Sequence, residues 1–355
     1  MKISTVIGAR PQFIKAAMVS RALKSNSINE EILHTGQHFD TNMSQVFFDQ
    51  MGIPEPAVDL KINGGSHGEM SGNMLIALER QFEMRKPNVV LIYGDTNSTL
   101  AASLAAAKLH IPIAHVEAGL RSFNMNMPEE VNRIVADRLS THLYCPTRSA
   151  VDNLAAEGVR ENVFLVGDVM YDAAIAFGQL AAEHSTITRQ LNIHNEPFGL
   201  VTLHRQENTD DAKRLRNILE TLANMTNDLP LLFPLHPRTR QAVARENLEH
   251  LLDAFILTDP LPFLDMVLLE KQAKLIFTDS GGVQKEAYFH GVPCITLRDE
   301  TEWVETVHAG WNQVVGADPD AIKHAVSQAN TGGSIAEYGD GSCAEKIATL
   351  LLDIH

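Results

Sequence analysis

Short apolar, β-branched runs alternate with longer helical patterns along the chain, and this alternation constrains the fold more than any other feature. It is typical of parallel α/β folds, in which each strand is followed by a helix that crosses back over the sheet. The clearest helical patterns cover residues 99–109, 211–225 and 262–272. The candidate strands form two series, at residues 3–7, 31–34, 89–93, 113–116, 142–145 and 163–166, and at residues 200–203, 231–235, 255–257, 275–277, 294–297 and 313–315. Two such series predict two Rossmann-like, doubly wound domains.

The bulk composition supports two globular domains and narrows the choice of partners. With 355 residues, the chain is too long for one comfortable core, and we place the break between domains near residues 169–182. A formal charge of −15, with no basic stripe to offset it, argues against nucleic acid as a partner. An anionic small molecule remains compatible, provided that arginines and helix N-termini hold it locally.

The first residues and the cysteines bear on the compartment. The opening MKISTVIGARPQF has only a short apolar run, which predicts neither a signal peptide nor a membrane span. Cys145, Cys294 and Cys343 are odd in number, widely spaced and free of CxxC pairing. We therefore expect reduced, buried cysteines and a cytoplasmic protein.

Residues 275–286, LIFTDSGGVQKE, form the strongest ligand-binding motif. An apolar strand runs through Ser280 into Gly281 and Gly282, which open a helix, so free backbone N–H groups and the positive end of a helix dipole point at one place. That arrangement suits a phosphate. Glu286, one turn into the helix, could accept hydrogen bonds from the hydroxyls of a ribose. The motif predicts a nucleotide-diphosphate site.

Chemically capable side chains follow the strands of the first series. Arg10 and Lys15 come after the first strand, Asp95 after the third and Glu117 after the fourth, while Glu129 begins a later helix. Each also has a simpler interpretation: Asp95 could cap a helix, and Glu129 could be a favourable first-turn charge. Glu117 is harder to explain in this way, because a carboxylate after an apolar strand is costly unless it is paired or functional.

The second series places His204 and His236 at matching strand ends, each close to an arginine, and Arg298 after a later strand. A lone histidine is more often structural, but two in matching positions favour anion binding. Metal binding is not indicated, because there is no HExxH, no Cys/His ligand spacing and no P-loop. A serine nucleophile is not indicated either, since no GxSxG occurs.

The ordered set of motifs resembles the non-hydrolysing UDP-N-acetylglucosamine 2-epimerases. The match spans nearly the whole chain, and although each motif alone is modest, the ordered set is highly specific. The motifs are Gly8-Ala9-Arg10-Pro11 with Lys15, Gly36-Gln37-His38, Gly94-Asp95-Thr96-Asn97-Ser98-Thr99, His115-Val116-Glu117-Ala118-Gly119-Leu120-Arg121, Pro128-Glu129-Glu130 with Asn132-Arg133, Leu203-His204-Arg205 with Glu207-Asn208, and Thr278-Asp279-Ser280-Gly281-Gly282 with Gln284-Lys285-Glu286.

The resemblance implies both an architecture and a reaction. The architecture is two Rossmann-like domains facing across a cleft in the glycosyltransferase-B arrangement: residues 1–170, joined by a C-terminal helix at about 342–355, carry the acid–base carboxylates, and residues 171–341 bind UDP. The reaction is epimerisation at C2 of a UDP-sugar, by elimination of UDP to a 2-acetamidoglucal and re-addition, without metal or other cofactor. Family members are usually cytoplasmic homodimers.

The resemblance also assigns roles to residues of this chain. The implied catalytic residues are Asp95, Glu117, Glu129 and His204. The implied contacts to substrate and UDP are Arg10, Lys15, His236, Phe263, Ser280, Gly281, Gly282, Glu286 and Arg298.

Several segments depart from the plain UDP-N-acetylglucosamine members. Gln12 stands where they usually carry an acidic residue, and residues 39–43 differ from theirs. Residues 122–127 (SFNMNM) and 301–305 (TEWVE) look closer to the branch that acts on UDP-2,3-diacetamido-2,3-dideoxy-glucuronate. The departures leave open whether a second substrate molecule activates the enzyme, as it does in many plain members.

Three other functions compete with the epimerase. A glycosyltransferase of the same architecture would share the diphosphate site but would need an acceptor groove and only one base. A hydrolysing 2-epimerase would release UDP and free sugar. A non-catalytic nucleotide-sugar sensor would have no need for Asp95, Glu117, Glu129 and His204 together, so we rank it last.

Overall fold

The computed structural model describes residues 1–37 and 51–354, so the branch-specific segment at residues 39–43 lies outside the described residues. The chain divides into two compact units: unit 1 comprises Met1–Ala173 and Ala336–His355, and unit 2 comprises Ala174–Ile335. The sequence prediction placed the two boundaries after residues 170 and 341. The first change of unit falls inside one continuous helix, Val169–His184, and a helical pattern gives no internal sign of such a boundary.

Unit 1 is built on a seven-stranded sheet whose order is β3-β2-β1-β4-β5-β6-β7. All the strand pairs in it are parallel. The strands are β1 Lys2–Ile7, β2 Asn29–His34, β3 Val58–Asp59, β4 Val89–Tyr93, β5 Ile113–Val116, β6 His142–Cys145 and β7 Val163–Leu165. Within the described residues, the helices that begin in this unit are α1 Arg10–Ser25, α2 His67–Arg85, α3 Asn97–Lys108, α4 Pro128–Leu139, α5 Arg148–Ala156 and α6 Val169–His184, together with the C-terminal α16 Cys343–Leu351.

Unit 2 is built on a six-stranded parallel sheet whose order is β10-β9-β8-β11-β12-β13. The strands are β8 Gly199–Thr202, β9 Leu231–Pro234, β10 Ile256–Thr258, β11 Leu275–Thr278, β12 Cys294–Thr296 and β13 Asn312–Val314. The helices are α7 Ile187–Gln190, α8 Gln206–Thr209, α9 Ala212–Ala223, α10 Pro237–Arg245, α11 Glu249–Leu252, α12 Phe263–Gln272, α13 Gly281–Phe289, α14 Val304–His308 and α15 Pro319–Gln328.

The predicted fold class is confirmed, with two local differences. The first sheet has a seventh strand, β3, which is only two residues long and therefore leaves no periodic pattern to detect. The helix expected at residues 99–109 begins at Asn97, because Thr96 is its N-cap and its hydroxyl accepts a hydrogen bond from the Thr99 amide. Asp95 is therefore not the cap of this helix, and its simpler interpretation is wrong.

Both sheets carry helices on both faces, which is why their strands read as nearly continuous apolar runs. Every residue of β4 is buried, for example, as is every residue of β11. Within the described residues, no helix combines the length and the apolarity that crossing a membrane requires.

The strand order fixes where each unit can hold a ligand. In unit 1 the order reverses between β1 and β4, and in unit 2 it reverses between β8 and β11. Open α/β sheets bind ligands beside such a reversal, outside the carboxyl ends of the strands. The loops after these four strands carry Gly8, Asp95, His204 and Ser280, so each unit presents sequence-predicted residues at its own switch point.

The C-terminal helix α16 belongs to unit 1 and packs against α1. The buried Asp172 carboxylate fixes its N-terminus by accepting hydrogen bonds from the backbone amides of Cys343, at 3.2 Å, and Ala344, at 2.7 Å. These amides belong to the first turn, where helix N–H groups have no partner within the helix. The last residues of the chain thus complete the first unit.

Candidate active site

One side chain joins the two loops at the switch point of unit 1. The Oε1 atom of Gln12 accepts hydrogen bonds from the amides of Gly8, at 2.8 Å, and Ala9, at 3.0 Å. Its Nε2 atom donates to the carbonyl of Tyr93, at 2.8 Å, and to the hydroxyl of Thr96, at 3.0 Å. Gln12 is buried, so this departure from the family pattern has a structural role: it ties the loop after β1 to the loop after β4.

Lys15 and Glu117 form an ion pair beside the loop after β4. Their side chains are only 8% and 15% exposed, respectively. Glu117 has a φ of 72°, which is uncommon for a residue with a side chain and is often found at functional sites. A methyl group added to Gly94 would lie 3.2 Å from Glu117 Oε2, so the carboxylate lies directly against the residue before Asp95.

Asp95 pairs with Arg133, whose guanidinium also donates to Glu130 at 2.6 Å. The Asp95 side chain is 32% exposed. Desolvation of its carboxylate raises the pKa of Asp95, and the nearby Glu117 adds to the rise, whereas Arg133 and Lys15 oppose it. Two carboxylates with cationic partners, Asp95 and Glu117, therefore follow neighbouring strands.

The predicted Glu129 and its neighbour Glu130 have different surroundings. Glu129 is exposed on the first turn of α4, whereas Glu130 is buried. The Glu130 carboxylate accepts hydrogen bonds from the amides of Ser122 and Phe123, each at 2.9 Å, as well as from Arg133. Glu130 thus holds the start of the 122–127 loop and, through Arg133, connects it to Asp95. Sequence reasoning did not identify this role, although an Arg three residues after Glu130 on a helix was a usable signal.

Sequence reasoning also missed a buried histidine that links the Asp95 and Glu117 loops. His115 Nε2 lies 2.7 Å from the Gly94 carbonyl oxygen, and Nδ1 lies 2.8 Å from Asp137 Oδ1. His115 therefore connects the Gly94 carbonyl, next to Asp95, to Asp137 in helix α4.

Asp137 holds further donors besides His115. It accepts from the Gly119 amide at 3.1 Å and from Arg121 Nη1 at 2.6 Å, and Arg121 continues to Glu157 at the surface. Burial alone would raise the pKa of Asp137, but the hydrogen bonds and charges of His115 and Arg121 bring it below its ordinary value. An ionised carboxylate therefore anchors the segment that contains Glu117.

In unit 2, a fully buried carboxylate fixes the loop that carries His204. Asp279 accepts hydrogen bonds from the amide of His204, at 2.9 Å, and from that of Arg205, at 2.8 Å, and its Oδ1 lies 3.3 Å from His204 Nδ1. Asp279 stands directly before Ser280 in the predicted diphosphate motif. A buried Asp at the end of an apolar strand was the available sign of its role.

His204 and His236 lie together, with ring centroids 5.2 Å apart. Burial lowers the pKa of both imidazoles, and nearby Arg238 lowers both further. His236 Nδ1 accepts a hydrogen bond from the Arg238 amide at 3.2 Å, which requires that nitrogen to be unprotonated. The second unit therefore presents neutral imidazoles at neutral pH.

The predicted diphosphate motif begins a helix as expected. Helix α13 starts at Gly281, and the Ser280 hydroxyl caps it by accepting from the Val283 amide at 3.5 Å. Glu286 is half-buried one turn further along. Burial, and then the charge of Glu286, raise the pKa of the buried Glu270 well above its ordinary value.

Three further residues were predicted to contact the substrate or UDP, and their surroundings differ from one another. Arg298 is held by two carboxylates, Glu207 at 3.2 Å and Glu302 at 2.9 Å. Phe263 is the first residue of α12 and packs edge-on against Phe177, with centroids 5.2 Å apart. Arg10 begins α1, but its side chain lies outside the described part of the chain.

Comparison with known proteins gives a consistent result along the chain. The family model described as UDP-N-acetylglucosamine 2-epimerase matches residues 21–352. The UDP-2,3-diacetamido-2,3-dideoxy-D-glucuronate 2-epimerase of Pseudomonas aeruginosa is 51% identical, over 99% of each chain. The UDP-N-acetylglucosamine 2-epimerase of Methanocaldococcus jannaschii is 41% identical, again over 99% of each chain.

Solved structures agree with the sequence comparisons. The M. jannaschii UDP-GlcNAc 2-epimerase in complex with UDP-GlcNAc and UDP superposes with a TM-score of 0.89 and 40% identity, covering 99% of this chain and 100% of that one. The Neisseria meningitidis UDP-GlcNAc 2-epimerase bound to UDP-GlcNAc has a TM-score of 0.87 and 31% identity, with coverage of 99% and 100%. The chain belongs to the UDP-N-acetylglucosamine 2-epimerase family and is an isomerase, as its ordered motifs predicted.

Proposed function

We propose that this chain is a non-hydrolysing 2-epimerase whose substrate is UDP-2,3-diacetamido-2,3-dideoxy-glucuronate. The observation that carries the reaction is the pair of carboxylates, Asp95 and Glu117, each held by a cation in adjacent loops of unit 1. Epimerisation at C2 needs a proton acceptor and a proton donor on opposite faces of the sugar ring, and two such carboxylates can supply both.

The proposed chemistry couples two bond cleavages. A carboxylate takes the proton from C2, and the electron pair of the C2–H bond forms the C1=C2 double bond. At the same time the C1–O bond breaks, and UDP leaves with the electron pair of that bond. In the return step, a UDP oxygen attacks C1, and C2 takes a proton on its other face. Because a C2–H without an adjacent carbonyl is barely acidic, departure of a stabilised diphosphate has to accompany its loss.

We assign UDP to unit 2. The Ser280, Gly281 and Gly282 turn at the N-terminus of α13 would receive the diphosphate together with Arg298, and Glu286 would accept from the ribose hydroxyls. The neutral state of His204 supports hydrogen bonding without a competing positive charge. Arg10, Lys15, His236 and Phe263 keep their predicted contact roles within this proposal, and Glu129 its catalytic one.

The choice of sugar rests on overall sequence identity and on two loops. The Pseudomonas aeruginosa relative named for UDP-2,3-diacetamido-2,3-dideoxy-D-glucuronate is 51% identical. The sequences of residues 122–127 and 301–305 also resemble the branch that acts on this sugar. The plain substrate, UDP-N-acetylglucosamine, is the second candidate, because relatives named for it match the full chain.

Proton NMR in D₂O tests the reaction and the sugar together. The protein is incubated in separate tubes with UDP-2,3-diacetamido-2,3-dideoxy-glucuronate and with UDP-N-acetylglucosamine. We expect deuterium at C2 and a growing manno epimer in the first tube. Exchange only in the second tube would overturn the sugar assignment, and free sugar with stoichiometric UDP would indicate a hydrolysing enzyme. No exchange in either tube would favour a glycosyltransferase.

Replacing Glu286 by Ala should weaken UDP binding about 10–100-fold, the worth of charge-assisted hydrogen bonds to the ribose. Isothermal titration with UDP measures the effect. Glu249→Ala removes an exposed carboxylate from the same unit and serves as the control. A dissociation constant for the Glu286 variant that matches the control would remove Glu286 from the site.

We also propose that the chain works as a homodimer through helix α2. One face of this helix carries Gly68, Gly72 and Ile76 at intervals of four residues, and Ile76 is 50% exposed. A methyl group added at either glycine would meet open space, so a partner helix could approach closely there.

The dimer proposal predicts that Ile76→Arg yields monomers at concentrations where the unmodified chain sediments as a dimer. A desolvated arginine would oppose its symmetry mate across a two-fold interface. Analytical ultracentrifugation measures the mass. Leu257→Arg, at an exposed apolar residue of unit 2, is the control and should leave the mass unchanged. A dimeric Ile76 variant would place the interface elsewhere.

The cysteines support a cytoplasmic location for the enzyme. Cys145, Cys294 and Cys343 are all free and all buried. Unpaired thiols are typical of reducing compartments. We therefore infer that the enzyme works in the cytoplasm.

A further inference from the structure

The loop after β12 is fastened to the first turn of helix α13. The Thr301 hydroxyl donates a hydrogen bond to Gln284 Oε1 at 2.6 Å, and the Trp303 indole N–H donates to the Gly281 carbonyl at 2.7 Å. Gln284 and Gly281 both belong to α13, and both are buried. The residue between the two anchors, Glu302, is therefore held over the start of the helix.

The Glu302 carboxylate lies between two groups that attract anions. Its Oε2 atom accepts a hydrogen bond from Arg298 Nη1 at 2.9 Å. A methyl group added to Gly281 would lie 2.5 Å from Glu302 Oε1, so this oxygen lies against the first residue of the helix. A guanidinium and a helix N-terminus are the two features that bind phosphate groups most readily in proteins.

Arg298 is engaged on a second side as well. Its Nε atom lies 3.2 Å from Glu207 Oε1, and its side chain is only 12% exposed. An arginine confined in this way keeps its orientation only while counter-charges face it, because a confined unpaired charge is costly. The two glutamates satisfy that requirement when no diphosphate is bound.

We propose that Glu302 is an internal substitute for the diphosphate: its carboxylate occupies the place between Arg298 and the N-terminus of α13, and UDP displaces it. This inference rests on the proposed function, because it takes Arg298 and the Gly281 turn as the diphosphate site. Glu302 thereby becomes an affinity-determining residue of the site. Its carboxylate orients Arg298 before UDP binds, and it lowers the affinity for UDP because it competes with the diphosphate for Arg298.

Competition between Glu302 and the diphosphate suits an enzyme that must release its UDP-sugar product. UDP has to leave C1, remain long enough to add back, and then depart with the epimerised sugar. A carboxylate ready to return to Arg298 lowers the barrier to release without removing any group that binds the transition state. A variant without this carboxylate should therefore hold UDP more tightly and release product more slowly.

Isothermal titration with UDP tests the proposal on the full chain, the Glu302→Gln variant and the Glu300→Gln variant. Glu300 is exposed in the same loop, so its variant makes the same change in net charge two residues away. We expect Glu302→Gln to bind UDP about twofold to fivefold more tightly, because a partly exposed ion pair no longer has to be broken. Glu300→Gln should match the unmodified chain.

Uridine and inorganic pyrophosphate locate the effect. Pyrophosphate should gain affinity in Glu302→Gln as UDP does, whereas uridine, which lacks phosphate, should not. Equal or weaker UDP binding by Glu302→Gln would overturn the proposal, as would an equal gain in Glu300→Gln, which would indicate a diffuse charge effect. If the folded, unmodified chain binds pyrophosphate but not UDP, the nucleotide assignment fails, and the role of Glu302 stands only where Glu302→Gln binds pyrophosphate more tightly than Glu300→Gln does. Binding of neither by any of the three proteins overturns both.

Discussion

Asp95→Asn and Glu117→Gln should each lower turnover by about 10²–10⁴-fold, the usual worth of a general acid or base, while UDP binding is retained. Each substitution keeps the size and polarity of the side chain and removes its ability to exchange a proton. The ion pairs with Arg133 and Lys15 are lost as well, but the amide oxygen of each new side chain can still accept a hydrogen bond from its cation, and Arg133 keeps its ion pair with Glu130. Turnover is measured as appearance of the C2 epimer, and UDP binding by titration.

A matched control separates this effect from a general loss of charge in unit 1. Glu157→Gln removes a surface carboxylate, 39% exposed, at the outer end of the Arg121 ion pairs, and should leave turnover nearly unchanged. Glu129→Gln then tests the third predicted carboxylate, which is exposed in the structure. Near-normal turnover in both the Asp95 and the Glu117 variants would remove these residues from the mechanism, whatever the Glu129 variant does.

The second prediction with a large expected effect concerns Asp137 and the stability of unit 1. Asp137→Asn should destabilise unit 1 by about 3–5 kcal/mol, because it leaves the buried guanidinium of Arg121 without its carboxylate and removes the acceptor that faces His115. The Asn amide would also point an N–H group at donors that now face an acceptor. Since the chain has two units and need not unfold in one step, amide hydrogen exchange, read unit by unit, is the suitable measurement.

The Asp137 carboxylate also predicts how the stability of the folded chain depends on pH. The pKa of Asp137 is lowered in the folded chain, so its stabilising contribution is complete above the unfolded value of about 3.9 and is lost as the pH falls through the folded value. The unmodified chain should therefore lose stability over that range, and Asp137→Asn should lack this part of the loss. Stability is followed as the denaturation midpoint between pH 6 and pH 3.

Asp340→Asn is the control for this experiment. Hydrogen bonds to Ser342 and Lys346 lower the pKa of Asp340 to about 2, yet its carboxylate is fully solvated. Screening by water should keep its contribution within experimental error. If the denaturation midpoint of Asp137→Asn changes with pH in the same way as that of Asp340→Asn, the buried Asp137–Arg121 ion pair does not stabilise unit 1 as inferred.

The alternation of strands and helices was enough to predict every strand of both sheets except β3, because strands buried on both faces read as nearly continuous apolar runs between the helical patterns. The positions of Asp95 and Glu117 at strand ends were predictable for the same reason, since topology places them at one edge. The start of α13 was predictable because its two glycines and its cap, Ser280, are consecutive in sequence.

Other features depend on geometry that the sequence does not display. His115 and Asp137 are 22 residues apart, and only the phase of α4 turns the carboxylate toward the ring. Glu129 and Glu130 are adjacent, yet successive residues on a helix point about 100° apart, so one is exposed and the other buried. The position of Glu302 over α13 could not be predicted from the sequence, because it depends on the hydrogen bonds that Thr301 and Trp303 make to α13.

The Gln12 contacts restrict which side chains can stand at that position. The Gly8 and Ala9 amides need an acceptor, and the Tyr93 carbonyl needs a donor, at opposite ends of the same group. Among the natural side chains of this length, only the carboxamide offers both ends without a change of protonation; a glutamate would need to carry a proton to do so. Gln12 therefore makes the geometry of the two loops insensitive to pH, whereas an acid at this position would couple loop geometry to proton uptake.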